Sequence, residues 1–287
     1  MCPKGLNPGM KDRCVASLKR PINEQSILYT GDCMSLFNLE GKVALITGST
    51  KGIGKAIAQR MAEQGARVII SSRNQDACDA VAAELRDKGL EATGVACNIN
   101  YQEQLENLVG AARAAHGAID ILVCNAALNP FFGPSQEIPD AAFDKVMQAN
   151  IGSVHRLCKL VIPDMADAGG GAVIIVSSIG GLKGSESLGA YAISKAADMQ
   201  IARNLAVEWG PKNIRVNCIA PGLIRTDFAR ALWENPEIYQ ETVSKYPLRR
   251  IGEPDEIAGA AVFLASAAGS FTTGQTIVID GGGTIAG

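Results

Sequence analysis

The chain alternates between short apolar segments and longer segments in which apolar residues recur every three or four positions. The short segments are typical of strands that are buried on both faces of a sheet. The longer ones are typical of helices that cover such a sheet. We predict seven strands, at Val43–Thr47, Arg67–Ser72, Glu91–Ala96, Ile119–Cys124, Ala172–Ser177, Ile214–Ile219 and Thr276–Asp280.

Helices are predicted between these strands. The pattern places them at Gly52–Gln64, Gln75–Lys88, Gln102–His116, Asp140–Ile151, Ser153–Ala168, Ala190–Trp209 and Asp255–Ala265. The helix at 190–209 carries an apolar stripe of Ile193, Ala197, Ile201 and Leu205. Strands that alternate with helices form a parallel sheet with right-handed crossovers. We therefore predict an α/β fold, a single doubly wound Rossmann-type domain with a mainly seven-stranded parallel sheet.

Residues 1–37 differ from the rest of the chain. They contain Pro3, Pro8 and Pro21 and scattered lysines and arginines, without a periodic apolar pattern. We predict a flexible N-terminal extension over 1–37 and one domain over 38–287. The extension is either a targeting peptide or the product of a start codon placed too early, with Met34 as the true start. It lacks the apolar region of a secretory signal, and we expect a cytoplasmic protein.

Composition excludes several classes of function. Hydrophobic residues make up 47% of the chain and charged residues 20%, which is enough for a large core. The net charge of −2 argues against nucleic-acid binding, and no apolar run has the roughly 18 residues of a membrane span. The eight cysteines show no metal-ligand spacing, so we predict free buried thiols and no metal site. The two histidines lack a partner motif.

A glycine-rich segment, TGSTKGIG, lies between the first strand and the first helix. Glycine lets the backbone turn sharply and approach a pyrophosphate closely, and the helix N-terminus offers free N–H groups to the anion. The strand before the segment and the helix after it are the context that such a site requires. We predict dinucleotide binding there, by Gly48, Lys51, Gly52, Ile53 and Gly54.

The end of the second strand selects the form of the cofactor. An acidic residue at this point would bind the ribose hydroxyls of NAD, but the chain has Ser72 followed by Arg73. A hydroxyl and a guanidinium would hold a 2′-phosphate instead, and Lys51 adds a second cation. We therefore predict NADP(H) as the cofactor. The alternative is that Lys51 and Arg73 are solvated surface cations.

Five motifs follow one another in a single order along the chain. They are Thr47–Gly54, Asn125-Ala126 after the fourth strand, YAISK at Tyr191–Lys195, Pro221-Gly222, and DGG at Asp280–Gly282. With these motifs, residues 38–283 resemble the short-chain dehydrogenase/reductase family. Residues 125–133 and 220–233 resemble one branch of it, the NADP-dependent carbonyl reductases and retinol dehydrogenase/reductases.

The resemblance implies further contacts to the cofactor. Asn98 stands where the family has an aspartate beside the adenine, and Asn125 is expected to keep its contact with the neighbouring strand. The backbone of Ile224 and the hydroxyl of Thr226 would meet the nicotinamide carboxamide. The chain departs from the family at Ala127, where a glycine is common.

The resemblance also implies a catalytic group of Asn150, Ser178, Tyr191 and Lys195. Tyr191 would give a proton to the carbonyl oxygen, while Lys195 would stabilise the tyrosinate and hold the nicotinamide ribose. An ammonium about 4 Å away is worth roughly 4 kcal/mol to the tyrosinate at an effective dielectric constant of 20. Ser178 would bind the substrate carbonyl, with Ser177 as the rival serine, and Asn150 would hold a water that links Lys195 to solvent.

The sequence thus predicts an oxidoreductase that transfers a hydride between NADP(H) and a carbonyl or secondary alcohol, on an apolar ketone or aldehyde. A 3-oxoacyl thioester or sugar-acid reductase and a non-catalytic NADP-binding sensor stay open as alternatives. The segment 226–250 is either a lid or a packed helical hairpin. Phe131, Phe132, Leu182 and Leu188 either line an apolar pocket or belong to the core. The resemblance implies a homotetramer built on helices 140–168 and 190–209.

Overall fold

Seven strands form one parallel sheet in the computed structural model, which describes residues 36–286. The strands are β1 (Val43–Thr47), β2 (Arg67–Ser72), β3 (Ala92–Ala96), β4 (Ile121–Cys124), β5 (Gly171–Val176), β6 (Ile214–Pro221) and β7 (Thr276–Ile279). Their order is β3-β2-β1-β4-β5-β6-β7. The predicted single doubly wound domain with a seven-stranded sheet is confirmed. The predicted extension lies outside the described residues, apart from Leu36 and Phe37.

Helices connect the strands and cover both faces of the sheet. They are α1 (Gly52–Glu63), α2 (Gln75–Asp87), α3 (Gln102–His116), α4 (Asp140–Val146), α5 (Ser153–Asp167), α6 (Gly189–Trp209), α7 (Arg230–Trp233), α8 (Pro236–Lys245) and α9 (Pro254–Ala265). A π-helical turn, Met147–Gly152, joins α4 to α5. The short helices α7 and α8 fall within the segment 226–250. Within residues 36–286, none of the helices has both the length and the apolar content to cross a membrane.

The first strand shows why its sequence is continuously apolar. All five residues of β1 are buried. Ala44 and Ile46 pack into the core on the side of α1, α2 and α9, while Val43 and Leu45 pack into the core on the side of α3, α5 and α6. Burial of one such branched side chain contributes roughly 1.5–3 kcal/mol. Strands buried on both faces therefore lack the polar alternation of a half-exposed sheet.

The inward face of α6 differs from the predicted stripe. Ile193 is 53% exposed, and the buried positions of this helix are Ala190, Ser194, Lys195, Asp198, Met199, Ala202 and Ala206. The small residues among these buried positions let α6 lie close to the sheet. In addition, the two charged residues on the buried face pair with each other, at 3.0 Å.

Free thiols lie on both sides of the sheet. The cysteines of the described part are all free and buried, at Cys78, Cys97, Cys124, Cys158 and Cys218. The other cysteines of the sequence, Cys2, Cys14 and Cys33, lie outside the described residues.

The strand order reverses between β1 and β4, which are neighbours in the sheet but not in the sequence. Ligands of doubly wound sheets bind outside the carboxyl ends of the strands at such a reversal. The carboxyl ends of β1 and β4 are joined through Thr47, whose hydroxyl accepts from the N–H groups of Asn125 and Ala126, at 3.1 Å each. A ligand site is therefore expected at this edge of the sheet.

Candidate active site

The glycine loop after β1 forms an open backbone cradle. Gly48 and Gly52 have φ of +66° and +55°, in the left-handed region that favours glycine. A Cβ on Gly54 would lie 2.3 Å from the carbonyl oxygen of Gly48. α1 begins at Gly52 and has no acidic residue in its first turn, so its free N–H groups and positive dipole end favour an anion. These features fit a pyrophosphate.

Asn125 supports this loop from the adjacent strand. Its amide nitrogen donates to the carbonyl oxygens of Thr47 at 2.9 Å and of Gly48 at 3.1 Å. The same nitrogen would lie 2.5 Å from a Cβ on Gly54. Asn125 therefore fixes the backbone of the cradle, and the expected contact with the neighbouring strand is present.

The end of β2 presents a hydroxyl and an unpaired cation. The Ser72 hydroxyl is 3.3 Å from the thiol sulfur of Cys78, which also accepts from the N–H of Ser72 at 3.1 Å. Arg73 is exposed and makes no hydrogen bond or ion pair with the part of the chain that the structure describes. Its guanidinium is available to an anion at this edge.

The other two residues predicted near the adenosine half have protein partners. The ammonium of Lys51 lies 3.3 Å from Asp227, and both side chains are largely exposed. Such an exposed pair is worth about 0–1 kcal/mol and yields easily to a stronger anion. The side-chain oxygen of Asn98 accepts from the backbone N–H and the amide nitrogen of Asn100.

Tyr191 and Lys195 lie one turn apart on α6. The ammonium nitrogen of Lys195 is 5.7 Å from the centroid of the Tyr191 ring. Lys195 is only 3% exposed, and its ammonium donates to the carbonyl oxygen of Val176 at 2.8 Å and to Asp198 at 3.0 Å. Tyr191 is half-buried, so a phenol that solvent can reach stands beside a buried cation.

Ser178 shares the space next to the Tyr191 ring. A Cβ on Gly180 would lie 3.4 Å from the Ser178 hydroxyl and 4.0 Å from Cε1 of Tyr191. The Ser178 hydroxyl accepts from the N–H of Gly180 at 3.0 Å, and its own proton is free to bind a carbonyl oxygen. Ser177 is buried and donates to the backbone oxygen of Lys195 at 2.7 Å. This geometry favours Ser178 over Ser177.

Asn150 lies in the π-helical turn and is only 1% exposed. Its side-chain oxygen accepts from the N–H of Leu128 at 2.9 Å. Its amide nitrogen donates to the carbonyl oxygen of Leu128 and to the hydroxyl of Ser194, at 3.0 Å each. Ser194 in turn donates to the backbone oxygen of Tyr191 at 2.7 Å. The side chain of Asn150 thus ties the β4 loop to the turn of α6 that carries Tyr191.

The segment after β6 folds over both parts of the site. Ile224 is buried, and the methyl group of Thr226 lies 3.1 Å from the position of a Cβ on Gly52. The indole of Trp233 donates to the carbonyl oxygen of Thr226 at 2.8 Å. The exposed ring of Phe228 lies 6.0 Å from that of Tyr191, measured between centroids.

A cleft of about 450 Å³ lies between the start of α1 and this segment. It is lined by Lys51, Gly52, Arg225, Thr226 and Trp233 among others, and none of the four predicted catalytic residues contributes to it. The cleft therefore lies beside the glycine loop, where α1 begins, and Tyr191 does not line it.

Three residues at the site were missed in the sequence. Asp198 pairs with Lys195, Ser194 connects Asn150 to Tyr191, and Cys78 contacts Ser72. Asp198 carries a recognisable signal, because an acidic residue three positions after a lysine on a helix lies beside that lysine. The contacts of Ser194 and Cys78 have no comparable signal in the sequence.

Comparison with known proteins finds relatives over most of the chain. A family model described as enoyl-(acyl carrier protein) reductase matches residues 48–284. Dehydrogenase/reductase SDR family member 4 of Bos taurus is 46% identical over 244 residues, which are 85% of this chain and 88% of the relative. Dehydrogenase/reductase SDR family member 2, mitochondrial, of Homo sapiens is 40% identical over 243 residues, 85% of this chain and 86% of the relative.

Two solved structures share the fold across most of their length. One is a 7α-hydroxysteroid dehydrogenase complexed with NADH and 7-oxoglycochenodeoxycholic acid, with a TM-score of 0.84, 39% identity and coverage of 88% of this chain and 98% of that one. The other is a gluconate 5-dehydrogenase from Burkholderia cenocepacia in complex with NADP and tartrate, with a TM-score of 0.86, 32% identity and coverage of 89% and 100%. The chain therefore belongs to the short-chain dehydrogenase/reductase family of nicotinamide-dependent oxidoreductases.

Proposed function

We propose that the protein is an NADP(H)-dependent oxidoreductase that interconverts a carbonyl group and a secondary alcohol, on an apolar ketone or aldehyde. The observation that carries the proposal is the grouping of Tyr191, Lys195 and Ser178. The ring centroid of the half-buried Tyr191 lies 5.7 Å from the buried ammonium of Lys195. The Ser178 hydroxyl and Cε1 of Tyr191 lie 3.4 and 4.0 Å from the position of a Cβ on Gly180. A protein that only binds the cofactor has no need of this group.

The roles of the side chains follow from their chemistry. The bound nicotinamide supplies or accepts the hydride. Tyr191 acts as general acid when the carbonyl is reduced and as general base, in its ionised form, when the alcohol is oxidised. Ser178 donates a hydrogen bond to the substrate oxygen and stabilises the negative charge that develops there. The positive charge of Lys195 favours the ionised phenol.

The preference for NADP(H) rests on the end of β2. Ser72 and Arg73 stand there in place of an acidic residue, and Arg73 has no competing partner within residues 36–286. A guanidinium binds a phosphate through charge-assisted hydrogen bonds. The two solved relatives contain NADH and NADP respectively, so the choice for this chain depends on its own residues.

The apolar substrate class rests on exposed side chains. Phe228 lies beside Tyr191, and Phe132, Leu182 and Phe228 are 60%, 47% and 59% exposed. An exposed aromatic ring beside Tyr191 suits an apolar substrate. A sugar acid is the second candidate, because one relative is named a gluconate 5-dehydrogenase and holds tartrate. The 3-oxoacyl thioester is the third.

The test is to follow NADPH and NADH oxidation with a panel of apolar ketones, aldehydes, keto sugar acids and 3-oxoacyl thioesters. We expect turnover with NADPH and an apolar carbonyl compound, and a loss of about 10²–10⁴-fold in kcat in Tyr191→Phe. NADPH binding without turnover of any carbonyl would favour the sensor protein. Preference for NADH would contradict the role of Arg73. The cytoplasmic location and the homotetramer stay predictions.

A further inference from the structure

Asp198 lies in the interior of the protein, on the face of α6 that packs against the sheet. It is 0% exposed. One carboxylate oxygen, Oδ2, accepts from the ammonium of Lys195 at 3.0 Å, and the other, Oδ1, has no hydrogen-bond partner among residues 36–286. The mechanism above does not use this carboxylate, and a buried charge of this kind is rare without a partner or a role.

The pair is nearly free of other charges. The thiol of Cys218 on β6 donates to the backbone oxygen of Asp198 at 3.4 Å. Cys124 on β4 also faces the pair and shares a hydrogen bond with Cys158 on α5. Burial raises the pKa of Cys218, and the contact with Cys158 together with burial raises that of Cys124. Both thiols are therefore neutral near pH 7, and Tyr191 is the other ionisable group of the described chain that acts on Lys195.

We propose that Asp198 is a positioning residue of the reaction: it is the buried counter-ion that holds the Lys195 ammonium in place and keeps it charged beside Tyr191. The inference rests on the proposed function, since it gives Asp198 a role in the proton transfer of Tyr191. It acts through Lys195 and does not itself touch the substrate.

The physical reason is the burial of the lysine. A fully buried ammonium without a counter-ion tends to lose its proton, because desolvation penalises the charged form. Burial lowers the pKa of Lys195, but the charge and hydrogen bond of Asp198, with the charge of Tyr191, raise it above its usual value. Burial also raises the pKa of Asp198, against the opposing charge and hydrogen bond of Lys195, so each of the two charges depends on the other. The second acceptor, the carbonyl oxygen of Val176, is neutral and cannot replace a carboxylate.

Asp198 also repels the tyrosinate directly, and distance decides which effect dominates. Asp198 lies seven residues after Tyr191, a rise of about 10 Å along the helix, whereas Lys195 lies one turn away. Loss of the lysine charge therefore outweighs relief of the repulsion. Removal of the carboxylate should make the phenol harder to ionise.

The experiment compares the wild-type enzyme with Asp198→Asn, which keeps the shape of the side chain and removes its charge. The pH at which Tyr191 ionises is read from tyrosinate ultraviolet absorbance, as the difference between each protein and its Tyr191→Phe counterpart. We expect this pH to rise by about one unit or more. Alcohol oxidation near pH 7 should fall about tenfold and recover as the pH is raised. Glu208→Gln, which removes an exposed carboxylate from the same helix, should change neither reading.

A second background tests whether Asp198 acts through Lys195. In Lys195→Met, the substitution Asp198→Asn should no longer shift the ionisation of Tyr191. No shift in the wild-type background, a shift to lower pH, or the same shift in both backgrounds would overturn the proposal. If circular dichroism shows that Asp198→Asn is unfolded, Asp198→Leu takes its place. Failure of both variants to fold would assign Asp198 to folding and would also overturn it.

The titration needs neither substrate nor cofactor, so the two proposals fail separately. A wild-type enzyme without carbonyl turnover but with the expected titration shift would remove the proposed function and keep the coupling of Asp198 to Tyr191. Normal carbonyl turnover in the wild type, without a shift of the Tyr191 titration in Asp198→Asn, would support the proposed function and overturn the role of Asp198.

Discussion

Tyr191 combines two environments within one side chain. Its ring contacts the exposed ring of Phe228 on one side and lies near the buried ammonium of Lys195 on the other. A general acid or base needs this combination, because it must reach the substrate and also be tuned by a fixed charge.

The first prediction concerns the phenolic hydroxyl. Tyr191→Phe removes one oxygen and leaves the ring, so cofactor binding and folding should be retained. We expect kcat to fall by about 10²–10⁴, the range for loss of a general acid. Steady-state rates and a fluorescence titration with NADPH measure the two effects. Tyr101→Phe, at an exposed tyrosine, is the matched control, and an equal loss in that variant would contradict the assignment.

The second prediction separates two adjacent serines. Ser178→Ala should lower kcat about 10²-fold, because its hydroxyl is proposed to bind the substrate oxygen. Loss of the hydrogen bond from the N–H of Gly180 should also lower its stability, by about 1 kcal/mol. Ser177→Ala should lower the free energy of unfolding by about 1 kcal/mol, because it removes the hydrogen bond to the backbone of Lys195. Urea unfolding and steady-state kinetics distinguish the two. The reverse pattern would exchange their roles.

The third prediction concerns the cofactor phosphate. Arg73→Ala should raise the KM for NADPH about 10- to 150-fold, since hydrogen bonds to charged groups are worth about 1.5–3 kcal/mol. The KM for NADH should change little. Arg203→Ala, an exposed arginine on α6, serves as control. An equal rise in the KM for NADH and for NADPH would show that Arg73 does not bind the 2′-phosphate of NADPH.

At the scale of elements, the sequence predicts strands better than it predicts helix faces. β1 and β2 have the predicted bounds because each contains a buried apolar run, Val43–Ile46 and Val68–Ile70. α6 buries a face other than its apolar stripe, and Ile193 of that stripe is 53% exposed. The apolar pattern does not indicate that Lys195 and Asp198 are both buried, because it does not show that they pair with each other.

The parts of the site that could not be predicted depend on contacts between distant residues. The residue types of the proposed catalytic group follow from motifs, but their hydrogen-bond partners do not. The π-helical turn presents Asn150 to Leu128 and Ser194, which lie 22 and 44 residues away in the sequence. Lys51 and Asp227 meet across 176 residues. Such pairs follow from the packed fold and leave no local periodicity.

The fourth prediction concerns the backbone of the glycine loop. Gly54→Ala would set a Cβ 2.3 Å from the carbonyl oxygen of Gly48, so the loop must shift. We expect cofactor binding to be lost and the free energy of unfolding to fall by about 1–3 kcal/mol. Equilibrium unfolding and cofactor titration measure both.

The matched control for that substitution is Gly110→Ala in α3. A Cβ on Gly110 would meet nothing within 4 Å, and alanine is a better helix former than glycine. The free energy of unfolding should therefore rise by about 0.5–1 kcal/mol with unchanged cofactor binding. If both glycine variants behaved alike, the close approach at Gly54 would not be the cause.

For the whole molecule, the site depends on the complete sheet. The glycine loop follows β1, Ser72 and Arg73 stand at the end of β2, Asn125 follows β4, Ser178 follows β5 and Thr226 follows β6. These segments come together only when the parallel sheet is formed, so the unfolded chain has no site. Cofactor binding must then stabilise the folded state by mass action.

The fifth prediction follows from this linkage. At a concentration of NADPH about 100 times its Kd, the free energy of unfolding should rise by about 2.7 kcal/mol. For a domain of this size the Tm should rise by about 5–10 °C. NADH at the same concentration should raise the Tm less, because it lacks the phosphate that Arg73 is proposed to bind. Thermal unfolding of the wild type and of Arg73→Ala with each cofactor measures the difference. The difference between the Tm increases with NADPH and with NADH should be smaller in Arg73→Ala. Equal stabilisation of the wild type by NADH and NADPH would show that the protein binds a dinucleotide without selecting the 2′-phosphate.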